Sequence, residues 1–169
     1  MAKFGVGQSV KRKEDDNLLR GKGIFQEDLH IPSQAYAHFL RSPHAHANIV
    51  SIDTSTASTM PGVIAIFTGD DIEADGLGTV PCVMDAFVPL TRPDGSPRYY
   101  PPNYLLPSER VRHAGEALAM VVAETVTQAR DASEAISVSY TALPHVVETA
   151  AAEAADAPRI WEDAPNNLS

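Results

Sequence analysis

Apolar and polar positions fall into short strand-length runs from residue 35 onward. Ala35-Tyr36-Ala37-His38-Phe39-Leu40-Arg41 reads as a strand that stops at Ser42-Pro43. Ala47–Asp53 alternates, with Ile49 and Ser51 opposing Val50 and Ile52, and predicts a second strand. Thr54 is placed to cap a short helical turn through Met60, which Pro61-Gly62 ends. Val63–Thr68 is a mostly apolar run of buried-strand length. Ala117–Ala123 is apolar throughout, the pattern of a strand covered on both faces. Thr125 and Gln128 then form a Thr-x-x-Gln capping box, and Val126, Ala129, Ala132 and Ile136 recur at helical spacing. Residues 137–141 alternate again, with Val138 and Tyr140 on one face. Strand, helix and strand over residues 117–141 predict a crossover unit.

The remaining segments carry a different pattern. Residues 1–34 read as an arm: Gly5, Gly7, Gly21 and Gly23 interrupt any regular element, and six of the 13 basic residues lie there. Residues 35–147 form the expected folded domain. Within it, residues 74–109 hold seven of the 13 prolines, which predicts a long irregular excursion, because proline donates no ladder bond. Loops of that length inside a domain usually carry function or are covered by a partner. Residues 148–169 are alanine-rich and acidic and then linker-like.

Charge and composition narrow the function classes. The 169 residues carry a formal charge of −9, which argues against non-specific nucleic-acid binding. One cysteine, Cys82, excludes an intrachain disulfide framework and a cysteine-only metal site. No stretch reaches the roughly 20 apolar residues that cross a bilayer. Met1-Ala2-Lys3-Phe4 leads into charged residues without an apolar signal core, so a cytoplasmic location is expected.

Candidate chemistry is sparse. Gly5-x-Gly7 and Gly21-x-Gly23 each give half a dinucleotide fingerprint, with Val10 and Gln26 where the third glycine belongs, so turns are expected. Asp71-x-Glu73-x-Asp75-Gly76 imitates a calcium loop but has Cys82 at the position of the bidentate glutamate. His44 and His46 would share one face of a strand and could grip a metal only if His113, Glu116 or Cys82 converged on them, whereas two histidines near a strand corner are more often hydrogen-bonded structural residues. Glu116 stands before the apolar strand as a general base or as an acceptor for backbone amides or Arg112. Asn167-Leu168-Ser169 fits a glycosylation sequon. No catalytic, cofactor-binding or metal-ligating residue is assigned on this basis.

Three blocks, in order, resemble a known family. They are Gly7-Gln8-Ser9-Val10-Lys11-Arg12-Lys13-Glu14-Asp15 with Leu18-Leu19-Arg20-Gly21-Lys22-Gly23, then Arg41-Ser42-Pro43-His44-Ala45-His46-Ala47 through Ile52-Asp53 and Met60-Pro61-Gly62-Val63, then Val111-Arg112, Gly115-Glu116, Ala119, Ala129, Asp131-Ala132 and Val138-x-Tyr140-x-x-Leu143-Pro144. Together they resemble the start of the molybdenum-binding large subunit of the xanthine dehydrogenase and aldehyde oxidase family. The resemblance implies an α+β fold, the α/β-hammerhead, with a mixed sheet, a few helices and a long proline-rich loop. It implies a structural and assembly domain of a molybdenum hydroxylase, not active alone, whose parent enzyme hydroxylates a heterocycle or aldehyde carbon with oxygen from water, or oxidises carbon monoxide. The molybdopterin-type cofactor, iron–sulfur clusters and FAD would belong to other domains or subunits, with none bound by this chain alone. The implied partners are the pterin-binding domains of the large subunit and the iron–sulfur and FAD subunits, not nucleic acid or membrane. Ala117 stands where the family commonly has proline, and His113-Ala114 where it has an aromatic residue and valine. Family members continue beyond the position of Ser169. The competing expectations are an independent small-molecule or metal-binding module built around His44 and His46, and an interaction adaptor using the arm and tail.

Overall fold

Two three-stranded antiparallel sheets share one helix-covered core in the unit spanning residues 35–169, as described in a computed structural model. The described residues are 12–81, 91–92, 94–164 and 167. A separate unit, residues 1–34, contains a short helix α1 (Asp15–Leu19) and a 3-10 turn (Gln26–Asp28). Gly21 takes φ +67° just past α1, the left-handed conformation that ends a helix, in line with the turn role read from the sequence.

The first sheet has the order β1-β7-β3, from Tyr36–Arg41, Ala117–Ala123 and Val63–Thr68. The second has the order β6-β2-β8, from Arg110–Val111, Ala47–Asp53 and Ser137–Ala142. A ribbon of β4 (Thr79–Val80) and β5 (Asn103–Tyr104) closes part of the proline-rich excursion. The remaining helices are α2 (Ser55–Ser58), α3 (Gly69–Ala74), α4 (Val126–Glu134) and α5 (Thr149–Ala152). No helix among the described residues is long and apolar enough to cross a membrane.

The strand β7 is central, which explains its unbroken apolar run: Leu118, Ala119, Val121 and Ala123 are fully buried. α4 covers one face of its sheet. Ala129, Ala132, Ser133 and Ile136 form the buried stripe at i, i+3, i+4 and i+7. Val126 does not join that stripe; it is 58% exposed at the open end of the helix. Ser133 takes a core position at no hydrogen-bond cost, since its hydroxyl lies 2.9 Å from His38 Nδ1 and donates to the Arg130 carbonyl at 2.8 Å. Ala57, Ala119, Val121, Ala132 and Ile136 form the core cluster, with Ile52 and Val138 of the second sheet packed against it.

Several sequence expectations are corrected. β7 and β8 lie in different sheets, so α4 is a bridge between sheets and not a crossover within one. All strand pairs among the described residues are antiparallel, so the mixed sheet implied by the family resemblance is replaced by antiparallel sheets. β3 is an edge strand with Ile64 59% exposed, because an irregularity between Val63 and Ala65 turns that residue out of register. Thr54 stands at the N-cap of α2 but makes no side-chain cap bond; Ser55 N–H donates instead to Asp53 Oδ1 at 2.9 Å. The Asp53 carboxyl is held below its usual value by hydrogen bonds from the Ser55 hydroxyl and amide. At Thr125 the amide of Gln128 donates to Oγ1 at 3.2 Å, and the Thr125 hydroxyl meets Gln128 Oε1 at 2.9 Å, so the box closes side chain to side chain.

Two glycines have steric reasons. Gly62 turns into β3 at φ +80°, where side chains are disfavoured. Gly69 opens α3 directly under the chain at Pro107–Ser108: a Cβ there would lie 2.6 Å from Ser108 N and 2.7 Å from Pro107 C. The same place is tied by a hydrogen bond from the Ser108 hydroxyl to Glu73. The end of the proline-rich excursion is thus clamped to α3.

Candidate functional site

The motif residues meet at one end of the two sheets. Gly115, at φ +85°, donates to the Ser42 carbonyl at 2.8 Å, and Ser42 N–H donates to the Glu116 carbonyl at 2.9 Å. The Arg41 guanidinium donates to the Gly115 carbonyl at 2.8 Å. Leu143 N–H donates to the His46 carbonyl at 3.0 Å. The second and third sequence blocks are therefore stitched to each other.

The histidine pair is part of this stitching. His44 and His46 lie in the connection before β2, not on a strand. His46, 5% exposed, has Nδ1 at 2.8 Å from the Pro144 carbonyl; a carbonyl only accepts, so Nδ1 carries the proton. His44 packs its ring against Tyr140, with centroids 4.6 Å apart. The two side chains serve different partners and do not converge on a common point.

Tyr140 carries a consequence for pH. Burial pushes its phenol above the usual value near 10, against a smaller opposing effect of its hydrogen bond with Ser42. A folded-state pKa raised in this way leaves stability intact below the unfolded value and removes it as pH rises through the folded one. Urea unfolding between about pH 9 and 11 should therefore show stability falling with pH, and Tyr140→Phe should flatten that fall.

Glu116 acts as a backbone acceptor. Its Oε2 takes the Arg112 N–H at 2.6 Å, with His113 Nδ1 at 3.8 Å. Among the described residues this carboxylate accepts its hydrogen bond from a backbone amide, with the His113 ring beside it beyond hydrogen-bond distance. Asp71 likewise is a cap, its Oδ2 accepting from the amide of Thr68 at 2.7 Å and from its hydroxyl at 2.8 Å. Glu73 binds Ser108, so the calcium-like spacing is used for helix capping and loop anchoring. Asn167 turns its amide inward: Oδ1 accepts from Ile160 N–H at 3.0 Å, and Nδ2 donates to the carbonyls of Ala152 at 3.0 Å and Pro158 at 3.1 Å. Cys82, Gly5 and Gly7 lie outside the described residues.

One concavity was missed by the sequence reading. A cleft of about 460 Å³ runs between the proline-rich excursion and the folded-back C-terminal segment, lined by Pro81, Tyr100, Tyr104, Arg112, Glu116 and Trp161 among others. The guanidinium carbon of Arg112 sits 4.0 Å from the Trp161 ring centroid and 5.3 Å from that of Tyr104. The two rings are nearly parallel, at 19°, with centroids 6.3 Å apart. Arg112 also donates to the Arg110 carbonyl at 3.2 Å. Burial pulls its pKa below the usual value, opposed by nearby Tyr104 and Glu116. The signal available in the sequence was weak: Trp161 is the one tryptophan, and nothing in spacing links it to a residue 49 positions earlier.

No three His, Cys, Asp or Glu side chains converge among the described residues. What the arrangement does chemically is hold three chain segments together around a cation.

Comparisons with known proteins agree with this geometry. Residues 20–144 match the family model described as the a/b hammerhead domain of aldehyde oxidase and xanthine dehydrogenase. The chain is 33% identical over 165 residues to the carbon monoxide dehydrogenase large chain of Afipia carboxidovorans, covering 98% of this chain and 18% of that one. It is 33% identical over 139 residues to the xanthine dehydrogenase molybdenum-binding subunit of Escherichia coli O157:H7, covering 82% of this chain and 17% of the relative. The crystal structure of quinoline 2-oxidoreductase from Pseudomonas putida 86 superposes with a TM-score of 0.75 at 36% identity, over 89% of this chain and 18% of that one. The chain spans under a fifth of the length of each.

Proposed function

This chain belongs to the a/b hammerhead domain family of aldehyde oxidase and xanthine dehydrogenase, and we propose that it works as a structural and assembly domain of a molybdenum hydroxylase large subunit, without activity of its own. The observation that carries this reading is the use made of the family motifs. Ser42, Gly115, Glu116, His46 and Leu143 direct hydrogen bonds at one another and at the backbone, which fixes the ends of two sheets. Such residues hold a shape. The molybdenum cofactor of the parent enzyme supplies the oxidative chemistry and is held by other domains, with iron–sulfur clusters and FAD beyond them. The part of this chain nearest to substrate is the excursion over residues 81–107, whose described residues Pro81 and Tyr100–Tyr104 line the cleft beside Arg112. There it forms a wall of the path along which substrate enters.

Turnover assays test the reading. The 169-residue chain, supplied with molybdenum cofactor, an electron acceptor and in turn quinoline, xanthine or carbon monoxide, should give no product. Added to the separately produced remainder of the Afipia carboxidovorans large chain, it should bind saturably. Turnover by the chain alone would refute the proposal.

A further inference from the structure

The two sheets differ in what they show on their outer faces. In the second sheet the outward row residues are the polar Asn48, Ser51, Asp53, Ser137, Ser139 and Thr141, with Val50 the exposed apolar residue at the bulge between Ile49 and Ser51. In the first sheet the face away from α4 carries two complete cross-strand rows without a polar side chain. Phe39, Met120 and Phe67 make one row, and Ala37, Val122 and Ala65 the other. That face is covered at its Leu118 end, where Leu118 is fully buried. Beyond Leu118 it opens. Phe39 is 40% exposed, Ala37 is exposed, and Met120, Val122, Phe67 and Ala65 are only half-buried. A strand at the centre of a sheet that is apolar on both sides belongs between two layers. Among the described residues α4 supplies one full layer, and the opposite face is covered only around Leu118.

We infer that the face made by Phe39, Phe67, Met120 and Val122 is the seat of a following domain of the same large subunit, docked through an uncharged apolar surface. This deepens the scaffold reading and rests on it. Three observations select that occupant. The match covers 18% of the carbon monoxide dehydrogenase large chain, so most of that relative lies outside it and is available to form the second layer. The two rows carry no charged side chain, so they offer nothing to a charged partner or an anionic surface. Six side chains are far fewer than the 20–30 residues a side of a standard interface between separate proteins. A small apolar seat instead suits a domain kept close by its covalent connection.

The test is an amide-shift titration by NMR. The isotope-labelled 169-residue chain is mixed with the separately produced remainder of the Afipia carboxidovorans large chain. Saturable shifts should centre on residues 37–39, 65–67 and 120–122, with the Ser51, Ser139 and Thr141 face unmoved. Phe39→Asp and Ala37→Asp, both at exposed positions, should weaken the association at least tenfold, whereas Ser139→Asp should leave it unchanged. Saturable shifts confined to any other surface would overturn the inference while the scaffold reading stands. Shifts at the apolar rows on concentrating the chain alone would also overturn it, by assigning the face to a second copy. Absence of any association would remove the scaffold reading itself.

Discussion

Leu118→Ala is expected to lower the stability of the domain by about 3 kcal/mol, within the range of leucine truncations in packed cores. Leu118 has no exposed surface and is the largest of the fully buried side chains. It sits on β7, which is hydrogen-bonded to strands on both sides and so has little freedom to slide into the gap. The cavity stays open, and both the transfer and the cavity contributions are lost. Thermal unfolding should show a midpoint lower by about 10 °C. A loss under about 1 kcal/mol would mean that the site collapses around the smaller side chain, contrary to a rigid central strand.

Arg112→Ala is expected to cost about 2 kcal/mol and to free Trp161. The guanidinium packs on Trp161 and Tyr104 in a partly desolvated cleft, where a cation–π contact reaches its larger values. Because Trp161 is the one tryptophan, its emission reports this contact without interference. The emission maximum should move to the red in Arg112→Ala before any denaturant is added, and urea unfolding should give the stability loss. Arg112→Lys keeps the charge but not the planar group, and should fall between the two. An unchanged emission maximum in Arg112→Ala would show that Trp161 is held by other contacts.

How far the sequence reveals this molecule depends on which interactions are local. β2 begins and ends where alternation placed it, and the apolar run over 117–123 is the central strand it promised to be. The hammerhead fold itself was legible from three ordered blocks of residues. Side-chain partners were less accessible. Thr54 holds the N-cap position without a side-chain bond, while the Asp53 carboxylate takes the Ser55 amide two residues on. Ser133 entered the core because His38, 95 positions away, supplies it with a partner. His44 and His46 were drawn apart by Tyr140 and Pro144, which no spacing rule connects to them.

Sequence by itself determined the five longer strands, the one well-formed helix and the position of the proline-rich excursion, since period, cap and proline act within a few residues. It also determined the family. Tertiary structure alone decided that β7 and β8 separate into two sheets, that Arg112 meets Trp161, and that one sheet shows hydroxyl groups outward while the other shows phenylalanine and methionine. Those outcomes depend on which distant segments come together to exclude water, and that burial is non-directional and leaves no short-range pattern in the chain.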